Sequence, residues 1–585
     1  MRFQRALGVL FSVLALGGCA SEASPDGMDE IGVIPGGKAD GSDYSACELD
    51  EVVAWLNEGP SADAIADAGV HSRAAANLAE HRDGPDATFG TEDDDRFDDI
   101  GEVDGVWWVG PVAIRQLVEV VAPRCEAPGA PATEVIFSPQ PSDSTHLVRV
   151  VELIDGAERS IDVAMYSFRD ASILDALERA HDRGVSIRFL FESANGDRSD
   201  PEGSRSAQLE DLGIEVRYVN KIMHHKLAII DGARTDVSEA ADGILITGSG
   251  NWSSSAGTRY DENTVIVHGN EELNLRYQRE FNHLWEHSRD FVWNEDIAPI
   301  DSVPVEESDI PDDPTVDALF TSANFRTYES SRYGPTFSTV RGRNEVADRW
   351  VELIRDAERS IVIASGHLRS RPIAEALLEA HDANPDLDIR VYLDGQEYLS
   401  EWGYDEQQRD LEECLVEAEG SEARTQDCYD TGFLFSYELH HAGVPLRFKY
   451  YAYRWHYSYA EQMHHKYMIV DDEILVTGSY NLSDNAEHNT MENVAIFTGE
   501  SHRALIDAYR ANFDAMWVTG EDEGLYDDLM TEITEGAEDF PIVFDSMALD
   551  WDQVDALKGA IYDHCPDIHS YEYRRHPERH YYCDR

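Results

Sequence analysis

Two stretches of the chain repeat the same pattern of hydrophobic and polar positions at an offset of 200 residues. Val151-Glu-Leu-Ile-Asp-Gly-Ala-Glu-Arg-Ser-Ile161 returns as Val351-Glu-Leu-Ile-Arg-Asp-Ala-Glu-Arg-Ser-Ile361. In each copy, apolar residues at helical spacing run into a strand-like segment, 161–168 or 361–365. A second helix is predicted at 171–183 and 372–382, and a further strand at 186–191 and 388–393. Strands that alternate with amphipathic helices predict an α/β sandwich in each half.

The repeat and its flanks predict a multidomain chain. We expect a signal peptide at 1–19, a flexible tether at 20–46, a small helical domain at 47–125, two repeat domains at 133–300 and 315–520, and a C-terminal segment at 521–585. Between the two repeats, Pro, Asp, Glu and Ser accumulate near residues 300–315, which is typical of a linker.

The first residues read as a targeting signal. Arg2 and Arg5 precede an apolar run at 6–16 that is too short to span a bilayer. The tetrad Leu16-Gly-Gly-Cys19 resembles a bacterial lipobox, in which the cysteine becomes the lipidated first residue. We therefore expect export and a lipid anchor at Cys19; the alternative is an ordinary signal peptide with a chance cysteine.

The remaining cysteines lie in local pairs, and an exported chain with an even number of them favours disulfides. Six cysteines allow fifteen connectivities. Sequential pairing would bracket one coherent segment each time, and it gives the bridges Cys47–Cys125, Cys414–Cys428 and Cys565–Cys583.

The composition restricts the partners. With 47 basic and 115 acidic side chains, the formal net charge is −68. This charge is typical of a solvated acidic surface, and it repels polyanions at long range. A nucleic acid or an anionic membrane would need screening salt, a metal ion or a locally positive groove to approach.

The chemistry resides in a motif that occurs once in each half. Met223-His224-His225-Lys226-Leu-Ala-Ile-Ile-Asp231 is matched by Met463-His464-His465-Lys466-Tyr-Met-Ile-Val-Asp471. Downstream stand Gly248-Ser249-Gly250-Asn251 and Gly478-Ser479-Tyr480-Asn481, and eleven residues beyond each asparagine lies a glutamate, Glu262 or Glu492. Two copies of H-x-K-x4-D with G-S-x-N resemble the phospholipase D superfamily over residues 133–520. The resemblance implies two α/β halves related by a pseudo-twofold axis, with one active site at their junction.

Strand geometry separates the adjacent histidines. Residues i and i+2 of a strand share a face, so His224 and Lys226 project together while His225 turns away. His224 and His464 are therefore the catalytic candidates. His225 and His465 are expected to support the fold, with metal ligation as the alternative.

The resemblance implies the individual roles. His224 would attack phosphorus to give a phosphohistidine and His464 would act as acid and then base, although the two assignments could be exchanged. Lys226, Lys466, Asn251 and Asn481 would bind the phosphate oxygens, and Glu262 and Glu492 would orient the histidines. Asp231 and Asp471 complete the catalytic motif, and their position at strand ends favours a structural role. Ser249 and Ser479 would either bind phosphate or shape the turn. This mechanism needs no metal.

Two segments depart from the repeat. Sixteen residues separate Asp231 from Gly248, whereas six separate Asp471 from Gly478, and the longer connection has the polar composition of a surface loop. The second copy carries about 40 extra residues before its motif, including the aromatic run at 448–457. That run would either shape substrate access or form a local core.

The flanking segments carry weaker signals. Residues 47–125 resemble a degenerate helix-hairpin-helix module, whose acidic surroundings favour a structural or protein-binding role over DNA binding. An acidic loop within it offers Asp83, Asp86, Asp93 and Asp95 as a weak structural Ca²⁺ candidate, against the alternative of a solvated loop. The basic, aromatic end of the chain at 571–583 is interpreted as a packed tail.

Together these patterns predict a lipid-anchored, monomeric phosphodiesterase on the periplasmic face or cell surface of a bacterium, acting on phospholipid headgroups by hydrolysis or transfer. An extracellular endonuclease with the same chemistry is the first alternative. A surface-anchored binding protein with a dead site is the second.

Overall fold

The computed structural model of the chain describes residues 44, 46–57, 59–86, 88–91, 94–97, 99–125, 133–292, 302–429, 432–452, 460–535, 544–563, 571 and 575. The chain divides into two compact units, 1–129 and 130–585. Within the described ranges, no helix combines the length and the apolar character needed to cross a bilayer. Cys19, the tether up to residue 43, Cys565 and Cys583 lie outside these ranges, as do the side chains of Cys47 and Cys125.

The first unit is helical where it is described. Its helices are Ala46–Asn57, Ala62–Asp67, Ser72–Arg82, Ile100–Gly105 and Pro111–Cys125. Side-chain oxygens cap two of them, because Ser61 accepts a hydrogen bond from the Ala64 N–H and Asp99 accepts one from the Glu102 N–H. Leu56, Leu78 and Ile114 are among the fully buried residues of its own hydrophobic core.

The first half of the second unit is built on a mixed sheet. Its strands are β1 Thr133–Ser138, β2 Ser160–Met165, β3 Ser186–Phe191, β4 Glu215–Tyr218, β5 Ile222–Met223, β6 Lys226–Ile230, β7 Ile244–Gly248, β8 Glu262–His268 and β9 Arg289–Asp290. Eight of them form one sheet in the order β1-β8-β7-β6-β2-β3-β4-β9. Its α-helices are His146–Gly156, Ala171–Asp182, Ala194–Asp197, Arg205–Asp211, Ser254–Thr258 and Glu271–Glu286.

The second half repeats this topology. Its strands are β10 Val316–Phe320, β11 Phe325–Ser330, β12 Gly334–Thr339, β13 Ser360–Ser365, β14 Leu368–Arg369, β15 Asp388–Asp394, β16 Leu446–Tyr450, β17 Lys466–Val470, β18 Ile474–Gly478, β19 Leu482–Ser483, β20 Thr490–Met491, β21 Asn493–Thr498 and β22 Met547–Asp550. The sheet order β10-β21-β18-β17-β13-β15-β16-β22 matches that of the first half position by position. Its α-helices are Glu345–Asp356, Arg371–Ala383, Glu401–Glu417, Glu422–Tyr429, Ser436–Ala442, Asp484–Asn489, Arg503–Trp517, Leu525–Thr534 and Trp551–Asp563. The predicted α/β fold class and the predicted repeat strands and helices are confirmed.

One hydrophobic core joins the two halves. Its buried residues come from the inner faces of both sheets and from the helices Glu271–Glu286 and Arg503–Trp517. Each helix contacts the edge strand of the opposite half: the Tyr277 ring meets Phe320 at 5.0 Å between centroids, and Tyr509 meets Phe137 at 4.9 Å. This reciprocal packing fixes the two sheets against each other.

The long connection after Asp231 is only partly the surface loop that its composition predicts. It contains a short 3₁₀ helix, Val237–Ala241, and buries Ala233, Arg234 and Ala240. The Arg234 guanidinium bonds to buried Asp162, which Arg188 also holds at 2.6 Å. A buried carboxylate requires such partners, so the loop was wrongly predicted to lie on the surface throughout.

The insertion in the second half is partly core. Phe448 and Tyr451 of the aromatic run are buried, whereas residues 453–459 lie outside the described ranges. Cys414 and Cys428 form the predicted disulfide, with their Cα atoms 5.8 Å apart. This bridge joins the helices Glu401–Glu417 and Glu422–Tyr429.

Candidate active site

The two His-x-Lys motifs meet because each is tied to the opposite half by its main chain. Strand β5, just before His224, pairs with β20 of the second half. The His224 N–H donates to the Met491 oxygen at 3.1 Å, and the His464 N–H donates to the Asp261 oxygen at 3.0 Å. Each histidine precedes the motif strand rather than lying in it, since β6 and β17 begin at the lysines. The predicted alternation nevertheless holds at this point of the chain.

Each catalytic-candidate histidine lies beside the glutamate of the other half. His224 Nδ1 lies 2.9 Å from Glu492 Oε2, and His464 Nδ1 lies 2.8 Å from Glu262 Oε1. All four side chains are buried or nearly so. The sequence associates each glutamate with a motif but does not say which histidine it faces. The crossed pairing therefore comes from the packing of the two halves.

The two histidine–glutamate pairs differ in how firmly the carboxylate is held. Glu492 is held by the hydroxyls of Ser479 at 2.6 Å and Thr490 at 2.9 Å, and its contact with His224 has hydrogen-bond geometry. The Glu262–His464 contact is as short, but neither atom has a well-aligned hydrogen-bond partner among the described residues. The carboxylate of Glu492 therefore fixes the His224 ring more firmly than Glu262 fixes His464.

Both motif lysines fold back over their histidines. Lys226 Nζ lies 3.1 Å from each ring nitrogen of His224 and donates to its main-chain oxygen at 2.7 Å. Lys466 Nζ donates to the His464 oxygen at 2.6 Å. Burial lowers the pKa of Lys226 to about 7 and that of Lys466 to about 8. An anion bound between them would favour their charged forms.

Burial also shifts the pKa values of the histidines and glutamates of the site. It lowers the pKa of His224 and His464 well below the usual range, and the two lysine cations lower it further. Burial raises the pKa of Glu262 and Glu492 to about 7 in each case. The site thus combines neutral imidazoles with carboxyl groups that exchange protons near neutral pH.

The serines of G-S-x-N hold the turn. Ser249 Oγ accepts from the Asn263 N–H at 2.9 Å, and Ser479 Oγ accepts from the Asn493 N–H at 3.0 Å while donating to Glu492. A Cβ on Gly478 would lie 2.2 Å from the Asn493 oxygen, so this close approach requires glycine. These contacts favour turn shaping over direct phosphate binding.

The asparagine amides are not fully engaged within the described part of the chain. The side-chain oxygens of Asn251 and Asn481 are buried without a hydrogen-bond partner there. Since an amide oxygen only accepts hydrogen bonds, binding of a phosphate oxygen would fall to the Nδ2 groups. Asn251 is further fixed through its main-chain oxygen, which lies 3.0 Å from Nε2 of buried His146. Their role as phosphate donors stays a prediction.

The motif aspartates make the same main-chain contacts in both halves. Asp231 accepts hydrogen bonds from the N–H groups of 158, 159 and 160 at 2.6–2.9 Å, and Asp471 does so from those of 358, 359 and 360 at 2.6–2.9 Å. Both residues adopt positive φ, 53° and 56°. Neither carboxylate bonds to a motif histidine or lysine in the described part of the chain. The contacts support the structural role favoured above rather than a place in the proton chemistry.

The neighbouring histidines belong to the interface between the halves. His225 Nδ1 lies 2.8 Å from Asn493 Nδ2, and His465 Nδ1 lies 3.1 Å from Asn263 Nδ2, again in a crossed arrangement. Both rings are fully buried. These positions fit the predicted role in supporting the fold.

The sequence analysis did not predict a role for two carboxylates of the site, Glu192 and Asp394. Glu192 accepts from the Met223 N–H at 2.5 Å, and Asp394 accepts from the Met463 N–H at 3.0 Å. Burial raises their pKa values to about 7 and about 6. Each carboxylate thus holds the residue before a catalytic-candidate histidine. Their position at the end of the second repeat strand in both copies was the signal that could have identified them.

The two halves also differ beside the site. The Tyr166 ring packs on His224 at 4.6 Å between centroids, whereas Gly366 occupies the equivalent position of the second half. One residue further on, His367 replaces Ser167, and its Nδ1 lies 2.9 Å from Oε1 of buried Glu397. The His367 imidazole is within electrostatic range of both motif histidines, so a positive charge on it would oppose protonation of either one.

Of the predicted calcium ligands, the three that the structure describes, Asp83, Asp86 and Asp95, are not brought together. The Asp83 carboxylate pairs with Arg82 at 2.6 Å, that of Asp86 accepts from the Thr88 N–H at 2.8 Å, and Asp93 lies outside the described residues. Asp95 instead lies with His81 and Glu102, whose possible ligand atoms are within 4.8 Å of one another. Among the described residues, only this group in the first unit has a spacing compatible with a metal ion.

Comparisons with known proteins match one or both copies of the repeat. The family model described as "Cardiolipin synthase, PLD-like domain" matches residues 150–285 and 350–517. A mitochondrial cardiolipin hydrolase of Drosophila melanogaster is 32% identical over 152 residues, which are 24% of this chain and 58% of that protein. One from Xenopus laevis is 29% identical over 180 residues, 30% of this chain and 74% of that protein. The solved structure of Nuc, a phospholipase D family member from Salmonella typhimurium, has a TM-score of 0.23 and 26% identity, covering 27% of this chain and 97% of Nuc.

Proposed function

Because the chain belongs to the phospholipase D superfamily of phosphodiesterases, we propose that its two halves form one active site that hydrolyses the phosphodiester of a phospholipid headgroup. The observation that carries the proposal is the crossed pairing of His224 with Glu492 and of His464 with Glu262. It makes each half dependent on the other for an oriented histidine. A decayed duplicate would have no need to keep both pairs.

His224 is the proposed nucleophile. A neutral imidazole attacks through one nitrogen only when the other holds the proton, and Glu492 accepts that proton's hydrogen bond from Nδ1. Nε2 then attacks phosphorus, a P–N bond forms, and the P–O bond to the leaving alcohol breaks. The His224 ring, which its carboxylate holds more firmly, is the better nucleophile because it loses less freedom of motion on reaching the transition state.

His464 supplies the proton to the leaving oxygen. Burial disfavours its charged form, but the bound phosphodiester anion favours it, and the neighbouring Glu262 carboxyl exchanges protons at about pH 7. In the second step, His464 removes a proton from water, whose oxygen attacks phosphorus and breaks the P–N bond. Lys226, Lys466, Asn251 and Asn481 bind the non-bridging oxygens throughout. An alcohol in place of water gives transfer.

A lipid substrate is favoured for two reasons. The matching family model and the relatives are described by cardiolipin, a phospholipid. The net charge of −68 opposes an extended polyanion more than a single phosphate at the end of a lipid. We also propose that the chain is exported and held at a membrane through Cys19, with the membrane as the source of substrate.

The decisive experiment compares substrates side by side. The purified protein is given cardiolipin vesicles, phosphatidylcholine vesicles and single-stranded DNA, at low and high salt, with and without chelator. We expect chelator-resistant release of headgroup or phosphatidic acid. With a phosphorus-labelled diester whose p-nitrophenolate leaving group needs no protonation, a phosphohistidine should be trapped in His464→Ala but not in His224→Ala. DNA cleavage without lipid turnover would reverse the substrate, and activity in both histidine variants would refute the shared site.

A further inference from the structure

A basic hairpin stands beside the site in the second half. Strands β11 and β12 form a two-stranded antiparallel sheet from Phe325 to Thr339. Seven residues connect the first strand to the first helix in the first half, whereas twenty-four connect β10 to the helix Glu345–Asp356. The hairpin is therefore an addition that the repeat itself does not require.

The charge of this segment is opposite to that of the chain. Residues 325–343, here called the basic hairpin, contain four arginines and one glutamate, in a chain whose net charge is −68. All four arginines are exposed. Arg326 and Arg332 have no acidic partner among the described residues, whereas Arg341 lies 3.8 Å from Asp427. The local charge is thus largely available to a partner.

Exposed aromatic rings accompany these arginines. Tyr328 is 50% and Tyr333 is 55% exposed. The Arg332 guanidinium lies 4.9 Å from the centroid of the Tyr333 ring. Tyrosine carries an apolar ring and a polar hydroxyl, which suits the boundary between water and lipid. Arginine binds phosphate through paired N–H groups.

The base of the hairpin is fixed next to the catalytic-candidate residues. Asn220 exchanges two hydrogen bonds with the main chain of Phe337, at 3.0 and 2.6 Å. Lys221 Nζ donates to Thr339 at 3.0 Å and to the His488 oxygen at 3.0 Å. Strand β5 follows directly and leads into His224. A surface held by the hairpin would therefore lie close to the active site.

We propose that the basic hairpin is a docking surface for anionic phospholipid membranes, which brings lipid headgroups to the site. The inference rests on the proposed function. Arg289 of the first half donates to the Pro335 oxygen and to the Thr336 hydroxyl at 2.9 Å, so the hairpin lies along the body and presents its exposed arginines as a local cationic patch. Acidic groups farther from this patch than the Debye length of about 8 Å are largely screened at physiological salt. A nucleic acid would need a basic groove along many phosphates, which one hairpin does not provide.

The test measures binding separately from catalysis. The full chain with Cys19→Ser, so that no lipid anchor contributes, is sedimented with vesicles of phosphatidylcholine alone or with phosphatidylglycerol added. The double variants are Arg326→Glu/Arg332→Glu and Tyr328→Ser/Tyr333→Ser. Arg179→Glu/Arg409→Glu is the matched control, since it makes the same charge change at exposed positions outside the basic hairpin and outside the helix that contacts Arg341.

We expect the arginine variant to bind anionic vesicles at least tenfold more weakly, and the tyrosine variant several-fold more weakly. Hydrolysis of soluble bis(p-nitrophenyl) phosphate should be unchanged in both, and the control should bind as the parent does. Parent-like vesicle binding by the arginine variant would overturn the proposal, as would loss of DNA binding alone. Normal vesicle binding without any phosphodiester hydrolysis would instead refute the proposed function and leave the docking surface standing.

Discussion

His224 and Glu492 are 268 residues apart in the chain, yet His224 Nδ1 lies 2.9 Å from Glu492 Oε2. The reciprocal pair, His464 and Glu262, has the same crossed origin. Neither half therefore orients its own histidine, and the interface between the halves is part of the proposed active site.

Replacing Glu492 by Gln should lower kcat by roughly 10² to 10⁴-fold, because a neutral amide neither fixes the reactive tautomer of His224 nor stabilises its cation. The change keeps the size of the side chain, so the melting temperature should move little. Glu500→Gln is the control, since that side chain is 92% exposed. Steady-state kinetics with a soluble diester measures the effect, and a loss below threefold would remove Glu492 from the orienting role.

Substitution of the adjacent residues His224 and His225 should affect different properties, activity in the first case and stability in the second. His224→Ala should abolish turnover while the protein stays folded, because its ring is a reacting group. His225 is fully buried and bonded to Asn493, so His225→Asn should cost about 1–3 kcal/mol of stability and retain most activity. Denaturant unfolding and kcat are measured on both variants. Equal loss of activity would contradict the division of roles.

The sequence was sufficient for the local elements and the motif set. Hydrophobic periodicity depends on neighbours within one helix or strand, so β2, β3, β13 and β15 could be predicted. Which glutamate faces which histidine depends on how two similar sheets pack, and both copies carry the same residues. Sequence alone therefore could not distinguish crossed from direct pairing.

The polar composition of one connection led to a wrong prediction because of a single residue, Arg234. The connection after Asp231 is polar overall, but Arg234 enters the core to neutralise Asp162. In the repeat, the position of Asp162 is taken by Val362, which needs no such partner. The second half, whose connection is shorter, thus has no buried charge to neutralise at this position. A comparison of the two copies at 162 and 362 would have suggested it.

Removing the disulfide should destabilise the insertion. Cys414 and Cys428 are 14 residues apart, and a loop of this length gives about 3 kcal/mol on closure. Cys414→Ser/Cys428→Ser should therefore lower the free energy of unfolding by about 2–3 kcal/mol. The double variant should also lose less stability on addition of reductant than the parent does, since only the other two predicted bridges remain to be reduced. Identical unfolding curves for parent and variant would show that the bridge does not constrain the unfolded chain.

Cys19→Ser should release the protein from the membrane fraction, because the lipobox-like tetrad offers no other acceptor for a lipid. Cell fractionation with immunodetection measures the distribution. Leu16→Ala, which alters the tetrad but keeps the thiol, serves as a second variant with a weaker effect. Membrane retention of the serine variant after a salt wash would contradict lipid anchorage.

Anion binding should depend on pH through the motif lysines. Burial lowers the pKa of Lys226 to about 7 and that of Lys466 to about 8, so both are charged at pH 6 and largely neutral at pH 9. A bound diester favours the charged forms of the lysines and is repelled by the carboxylates that Glu262 and Glu492 form above about pH 7, so both effects weaken its affinity as the pH rises from 6 to 9. Diphenyl phosphate, which keeps one charge over this range, should bind at least tenfold more weakly at pH 9 than at pH 6 by calorimetry. Lys226→Met should weaken binding at pH 6 and flatten the profile, whereas Lys558→Met, at a lysine outside both motifs in the helix Trp551–Asp563, should leave the profile unchanged. A parent profile that is flat between pH 6 and 9 would show that the lysines do not supply the anion site.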